Sequence, residues 1–169
     1  WEGRHLPDKG KAPKIILAGN ESRSFVDSLQ LLIRENALKI EGQLVELRHF
    51  DNSKKAEARE IIKQGCQLVY VLPNASFTPK EINELSESAV VFGEGRAFVT
   101  EKGGDVSFLS VRNRVKLVVS EKYFRRNSPK LSSKLVSLKS VVEIIPSVGP
   151  QGPIGRKGPD NDPRPPPSK

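Results

Sequence analysis

The side chains able to do chemistry are few in this 169-residue chain, and they are scattered. Cys66 is the single cysteine, and His5 and His49 are the only histidines. A cysteine nucleophile needs a base within hydrogen-bond reach, and neither histidine lies near Cys66 along the chain, so no nucleophilic pair is indicated. Metal ligation is equally unsupported, and one cysteine cannot close an intrachain disulfide. Gly19-Asn20-Glu21-Ser22 does not fit the GxxxxGK[ST] phosphate loop, and Gly93-Glu94-Gly95 is a lone Gly-x-Gly.

Catalysis on an open parallel sheet would draw on polar groups at the carboxyl ends of the strands. Those ends carry Gly19, Asn20 and Glu21; Asp51 and Asn52; Pro73, Asn74 and Ser76; and Gly93, Glu94 and Gly95. A phosphate-accepting receiver domain needs an acid after its third strand, where this chain has Pro73 and Asn74. No recognisable catalytic set emerges, so the chain is read as a non-enzyme without a cofactor or metal. Asn20, Asn74 and Glu94 stand as candidate walls of a small-molecule crevice.

Charge is the second chemical resource. Nine Lys or Arg between Arg112 and Lys139 face one acid, Glu121, giving +8. The whole chain has 28 basic and 20 acidic residues, again +8, so everything else sums to zero. Any electrostatic recognition therefore belongs to this segment. A polyanion site, a basic face for an acidic protein and a merely solvated surface are all compatible with it. Tyr123 and Phe124 are its only aromatics and no groove-reading or stacking motif is present, which ranks nucleic acid last.

The elements that must position these groups read as strand, helix, strand, helix, strand, helix between Lys14 and Ser88. Lys14 to Gly19 is a short apolar strand, with Asn20 as the cap of a helix whose Phe25, Leu29, Leu32 and Ile33 fall at helical spacing. Gln43 to Phe50 alternates as a strand near a sheet edge does, and Cys66 to Leu72 is apolar throughout, as a central parallel strand is. The helix between them, about Ser53 to Gln64, turns Ala56, Ile61 and Ile62 inward. Thr78 and Pro79 open a further helix, and Ala89 to Glu94 is a buried strand. This alternation predicts a three-layer α/β/α sandwich with a mostly parallel sheet. Beyond Glu94, two strand-like runs joined by Arg112 and Asn113 predict an antiparallel hairpin. A short helix after Ser120 follows, then a helix carrying Leu131, Leu135, Leu138 and Val142 on one face.

GEGRAFVTEKGGDVSFLSVRNRVKLVVS followed by LSSKLVSLKSVV resembles the carboxy-terminal half of the YfiR-like periplasmic regulators. There a Phe, a GlyGly turn, an alternating hairpin and a Leu-x-Ser-Ser-Lys-Leu helix recur in this order. KIILAGNESRSFVDSLQLLI, EGQLVELRHFD and GCQLVYVLP are similar to that family's first three βα units, and the likeness covers about Trp1 to Val142. It implies an opening helix of which Trp1 is the end, missing from this chain, and so some uncovered apolar surface. It also implies a soluble periplasmic regulator, exported by a signal peptide upstream of Trp1 and often dimeric. Such a regulator binds and represses the sensory part of an inner-membrane diguanylate cyclase.

On this reading residues 1–145 form the folded domain, and Arg125, Arg126, Lys130 and Lys134 are the candidate partner contacts. Residues 146–169 hold eight of the thirteen prolines, with glycine at every third position from Gly149 to Gly158, and read as a disordered, briefly collagen-like tail. No apolar run reaches the roughly 18 residues of a spanning helix. Two other readings stay open: a stand-alone small-molecule sensor using Asn20, Asn74 and Glu94, and, ranked below it, a nucleic-acid binder using the basic segment 112–139.

Overall fold

The computed structural model describes residues 12–40, 42–125 and 133–146. Among them, seven strands form one sheet in the order β4-β1-β5-β6-β7-β8-β9. The strands are β1 (Lys14–Ala18), β4 (Glu46–Phe50), β5 (Leu68–Val71), β6 (Val90–Glu94), β7 (Val106–Val111), β8 (Arg114–Ser120) and β9 (Val142–Ile145). A separate two-stranded ribbon pairs β2 (Lys39–Ile40) with β3 (Gln43–Leu44). From β4 to β7 every neighbour is parallel, β8 turns back antiparallel to β7, and β9 runs parallel to β8. The predicted class, mostly parallel with a late antiparallel hairpin, is the one observed.

Alternation along each strand divides the core in two. Ile16, Ala18, Val69, Val71, Val91 and Val118 point to one face, where they meet Ala58 and Ile62 of α2 (Lys55–Lys63), Ile82 of α3 (Pro79–Leu85) and Phe98 of α4 (Arg96–Thr100). Leu17, Leu47 and Leu72 point the other way, against Val26 of α1 (Arg23–Glu35). On that second face Phe92, Val106, Leu117 and Val119 pack on Tyr123 of α5 (Glu121–Arg125). Helices therefore cover both faces, as strands apolar on two sides require.

Local details follow the residues. Thr78 caps α3 with a capping box: its hydroxyl accepts from the Glu81 N–H while the Glu81 carboxylate accepts from the Thr78 N–H, and Pro79 fills the first turn. Arg112 and Asn113 take φ of 48° and 59°, the two left-handed residues that a tight hairpin turn needs. β4 is one edge of the sheet and β9 the other, and β5 is interior, between β1 and β6.

The structure differs from the sequence reading at five places. Gln43 to Phe50 is not one strand: Gln43–Leu44 pairs in the two-stranded ribbon and only Glu46–Phe50 joins the large sheet. Ser22, not Asn20, caps α1, because its hydroxyl reaches the Phe25 N–H. Val26, Leu29 and Ile33 turn inward on α1, whereas Phe25 and Leu32 are 48% and 58% exposed. On α2 the buried alanine is Ala58 and Ala56 is exposed. The carboxy-terminal segment is not one long helix: α6 spans only Ser133–Val136, and the chain returns as β9, burying Val142 beside Leu117. Leu131 lies outside the described residues.

Candidate functional site

Three asparagines meet at the carboxyl end of the parallel sheet. Asn20 follows β1, Asn52 follows β4 and Asn74 follows β5. The Asn20 N–H donates to the Asn74 side-chain oxygen at 3.0 Å, and the Asn74 amide returns a bond to the Asn20 carbonyl at 2.9 Å. Asn20 Oδ1 accepts from the Asn52 N–H at 3.0 Å, Asn52 Nδ2 donates to the Asn74 carbonyl at 2.8 Å, and Asn52 Oδ1 accepts from the Ser76 N–H at 2.7 Å. His49 Nε2 donates to the Gly19 carbonyl at 2.8 Å.

The place matters because β1 and β5 flank the point where strand order reverses, the position at which open α/β sheets usually take ligands. Here the loops close on each other. Gly19 has φ of 125°, and a Cβ there would stand 2.8 Å from Leu72 Cβ and 2.9 Å from Asn74 Oδ1, so only glycine lets the loops approach this closely. Of the candidate crevice residues, Asn20 and Asn74 are brought together and bind each other. Glu94 lies apart, at the end of β6, where its carboxylate accepts from the Tyr70 hydroxyl at 2.9 Å. Burial chiefly, then that bond and the nearby negative charge, pushes the Tyr70 phenol well above its ordinary range. Glu94 also borders a cavity of about 370 Å³ whose other walls include Val71, Phe77, Phe98 and Lys102.

A cationic post stands beside this network. Lys55 Nζ donates to the Ser76 carbonyl at 2.8 Å and to Glu81 at 2.9 Å, and lies 5.0 Å from the centre of the Phe77 ring. The Thr78 N–H first, and then Lys55, holds the Glu81 carboxyl below its usual range. These contacts fasten α2 to α3. Cys66 is buried at the mouth of β5, and desolvation pushes its thiol up to about 12, which keeps it an inert apolar filler. Among the described residues no three His, Cys, Asp or Glu gather as a metal site. His5 falls outside them.

The basic segment is placed mostly at the surface. Arg112, Arg114, Lys122, Arg125, Lys134 and Lys139 are exposed and Lys116 is half-buried. Arg125 pairs with Glu121 one turn earlier on α5 at 3.0 Å, and Lys134 sits on α6. Arg126 and Lys130 lie outside the described residues, so the four candidate contacts are not all located. Arg96 adds a surface pair with Glu143 of β9 at 2.6 Å.

A family model described as YfiR/HmsC-like matches residues 1–139. The chain belongs to the YfiR/HmsC-like family. No curated protein matches it. In this YfiR/HmsC-like chain the matched span runs from the first residue through the β7–β8 hairpin and α6, and stops short of β9. The Phe and GlyGly of the quoted resemblance acquire a physical reason. Phe98 lies between Gly93 and Gly104, and a Cβ on either glycine would overlap its ring. Sequence reasoning left Asn52 out of the candidate set. An asparagine follows the end of each of three parallel strands, and that recurrence is the signal that points to all three together.

Proposed function

We propose that this YfiR/HmsC-like chain is a non-enzymatic periplasmic regulator that binds the sensory part of an inner-membrane diguanylate cyclase. It holds the cyclase inactive until an envelope signal releases it. The family match over residues 1–139 carries this reading. Two features support it. The Asn74 side-chain amide is engaged by the Asn20 backbone and the Asn20 side-chain oxygen by the Asn52 N–H, which favours recognition by a surface over a strand-end crevice. The charge excess lies in the 112–139 segment, most of whose described cations are exposed, and there complementary charge sets association rate and specificity.

Arg125, Arg126, Lys130 and Lys134 are assigned to the partner contact, and switching follows from different affinities for two states of the partner or of the regulator. No helix among the described residues is long and apolar enough to cross a membrane. The test is a pull-down and titration calorimetry with periplasmic cyclase domains. Saturable binding, with loss of cyclic-di-GMP synthesis by the full-length cyclase, is the expected result. No binding, with nucleic acid retained instead at physiological salt, overturns the reading.

A further inference from the structure

The β7–β8 hairpin is longer than the sheet that holds it. Pairing of β6 with β7 ends at Glu94 with Phe108, and pairing of β8 with β9 begins at Leu117 with Val142. Leu109–Val111 and Arg114–Lys116 pair only with each other, so the end of the hairpin projects as a two-stranded ribbon beyond both neighbours.

Its side chains are sorted. The register sets Ser110 opposite Val115 and Phe108 opposite Leu117 on one face, and Val111 opposite Arg114 and Leu109 opposite Lys116 on the other. On the first face Val115 is 63% exposed and Phe108 38% exposed. Phe108 continues into an aromatic row, 5.8 Å from Phe92 and 6.2 Å from Tyr70 between ring centres. The second face and the turn carry Arg114, Lys116 and Arg112. No acidic residue lies between Val106 and Ser120, and no ion pair among the described residues engages these three cations.

We propose that this ribbon is an arm gripping an acidic protein surface. The partner clasps the ribbon from both sides: Val115 and Phe108 enter an apolar socket on one side, while Arg114 and Lys116 on the opposite face, with Arg112 at the turn, meet carboxylates on the other. The tip is Arg112-Asn113, with Val115 and Phe108 on one flank and Val111, 37% exposed, beside Arg114 on the other, so a bilayer approached end-on would meet the charge of Arg112 first. A second copy of this chain is disfavoured for a different reason: a two-fold axis through the ribbon would bring two +8 segments together. A heterologous acidic partner fits both the flank and the charge. The partner's identity as a cyclase sensory domain rests on the function proposed above; the arm itself rests on the register, exposure and charge.

The test compares wild type with Val115→Asp, with Arg114→Glu/Lys116→Glu, and with a matched reversal away from the ribbon, Arg23→Glu/Lys54→Glu. Calorimetric titration of the cyclase sensory domain is the readout, with circular dichroism confirming the fold. The two ribbon variants should each bind at least about tenfold more weakly and the matched reversal less than about threefold. Wild-type binding with unchanged ribbon variants overturns the arm while leaving the proposed function standing. Equal losses in both double reversals overturn it in favour of overall charge, and absence of wild-type binding overturns both proposals. The arm is likewise overturned if Val115→Asp releases the protein from phosphatidylglycerol vesicles yet leaves cyclase binding intact. Should Val115→Asp misfold, Val115→Thr, which keeps β-branching and loses apolar surface, replaces it.

Discussion

Replacing Gly104 by alanine isolates one packing contact of the fold. Gly104 lies in the turn that enters β7, and the Phe98 ring is wedged between it and Gly93. A methyl at Gly104 would overlap the ring edge, and the ring cannot retreat, because on its other side it already sits where a Gly93 Cβ would be. Phe98 is buried in the cluster formed with Val91, Val99 and Val118, so relief requires moving α4 or the start of β7. Overpacking of this kind costs about 1–3 kcal/mol, and a site closed on both sides belongs at about the upper value. At about 2–4 °C per kcal/mol for a domain near this size, the melting temperature should fall by about 10 °C. Gly103→Ala supplies the contrast. Its φ is 79° with open space around the added Cβ, so it meets backbone strain alone, about 1 kcal/mol. Thermal and urea unfolding by circular dichroism measure both. The decisive arm is the pair Gly104→Ala with Phe98→Leu: if the wedge is real, the double variant is more stable than the sum of the single losses by about 1–2 kcal/mol. Strict additivity, or a Gly104→Ala protein melting within a degree of wild type, would refute the reasoning.

Other substitutions probe the remaining structure. Asn74→Ala removes two bonds to Asn20 and should cost about 1–2 kcal/mol, read by urea unfolding, with faster hydrogen exchange at the Asn20 N–H. Thr78→Ala removes the α3 cap and should cost about 1 kcal/mol, while Thr78→Ser restores most of it. Glu81, held below its usual range, contributes stability that is present above the ordinary glutamate value and lost as pH falls through the lowered one; Glu81→Gln should flatten that acid limb in pH-dependent unfolding. Cys66 has the opposite sign. Its thiol is pushed from 9.0 to about 12, so the unfolded state loses its proton first and stability should fall by about 1.4 kcal/mol per pH unit between those values, relative to Cys66→Ala. A thiol reagent at pH 8 should label Cys66 at the unfolding rate, and rapid labelling of the native protein would contradict its burial.

Much of the fold was legible because its strands are short, apolar and punctuated. The α3 cap, the two-residue hairpin turn and the edge position of β4 all follow from residues within a few positions of one another. The failures share a cause in competing local signals. Lys130 to Ile145 carries leucines at helical spacing and also the β-branched run Val141-Val142, and only the open edge of β8 decides in favour of a strand. Five-residue α4, opened by Gly95 at φ of 76°, is too short to show a period. Phe25 and Leu32 satisfy helical spacing as well as Val26 and Ile33 do, and the sheet selects between the two stripes. At the candidate site the residue types were visible at the strand ends, but their mutual bonding was not. Asn20 and Asn74 are 54 residues apart, and only the order β4-β1-β5 makes them neighbours.

The placement of β9 has a consequence for how the molecule fails. β8 keeps a partner on its outer side only because the chain leaves at Ser120, crosses over and comes back at Val142. If β9 detaches, the edge uncovered is no charged strand built to repel company; it is the stretch of β8 holding Val118 and Val119, both fully buried. Such an edge recruits another strand before it frays. Damage near the carboxyl terminus should therefore show first as self-association between chains, with the parallel half of the sheet still intact inside the aggregate.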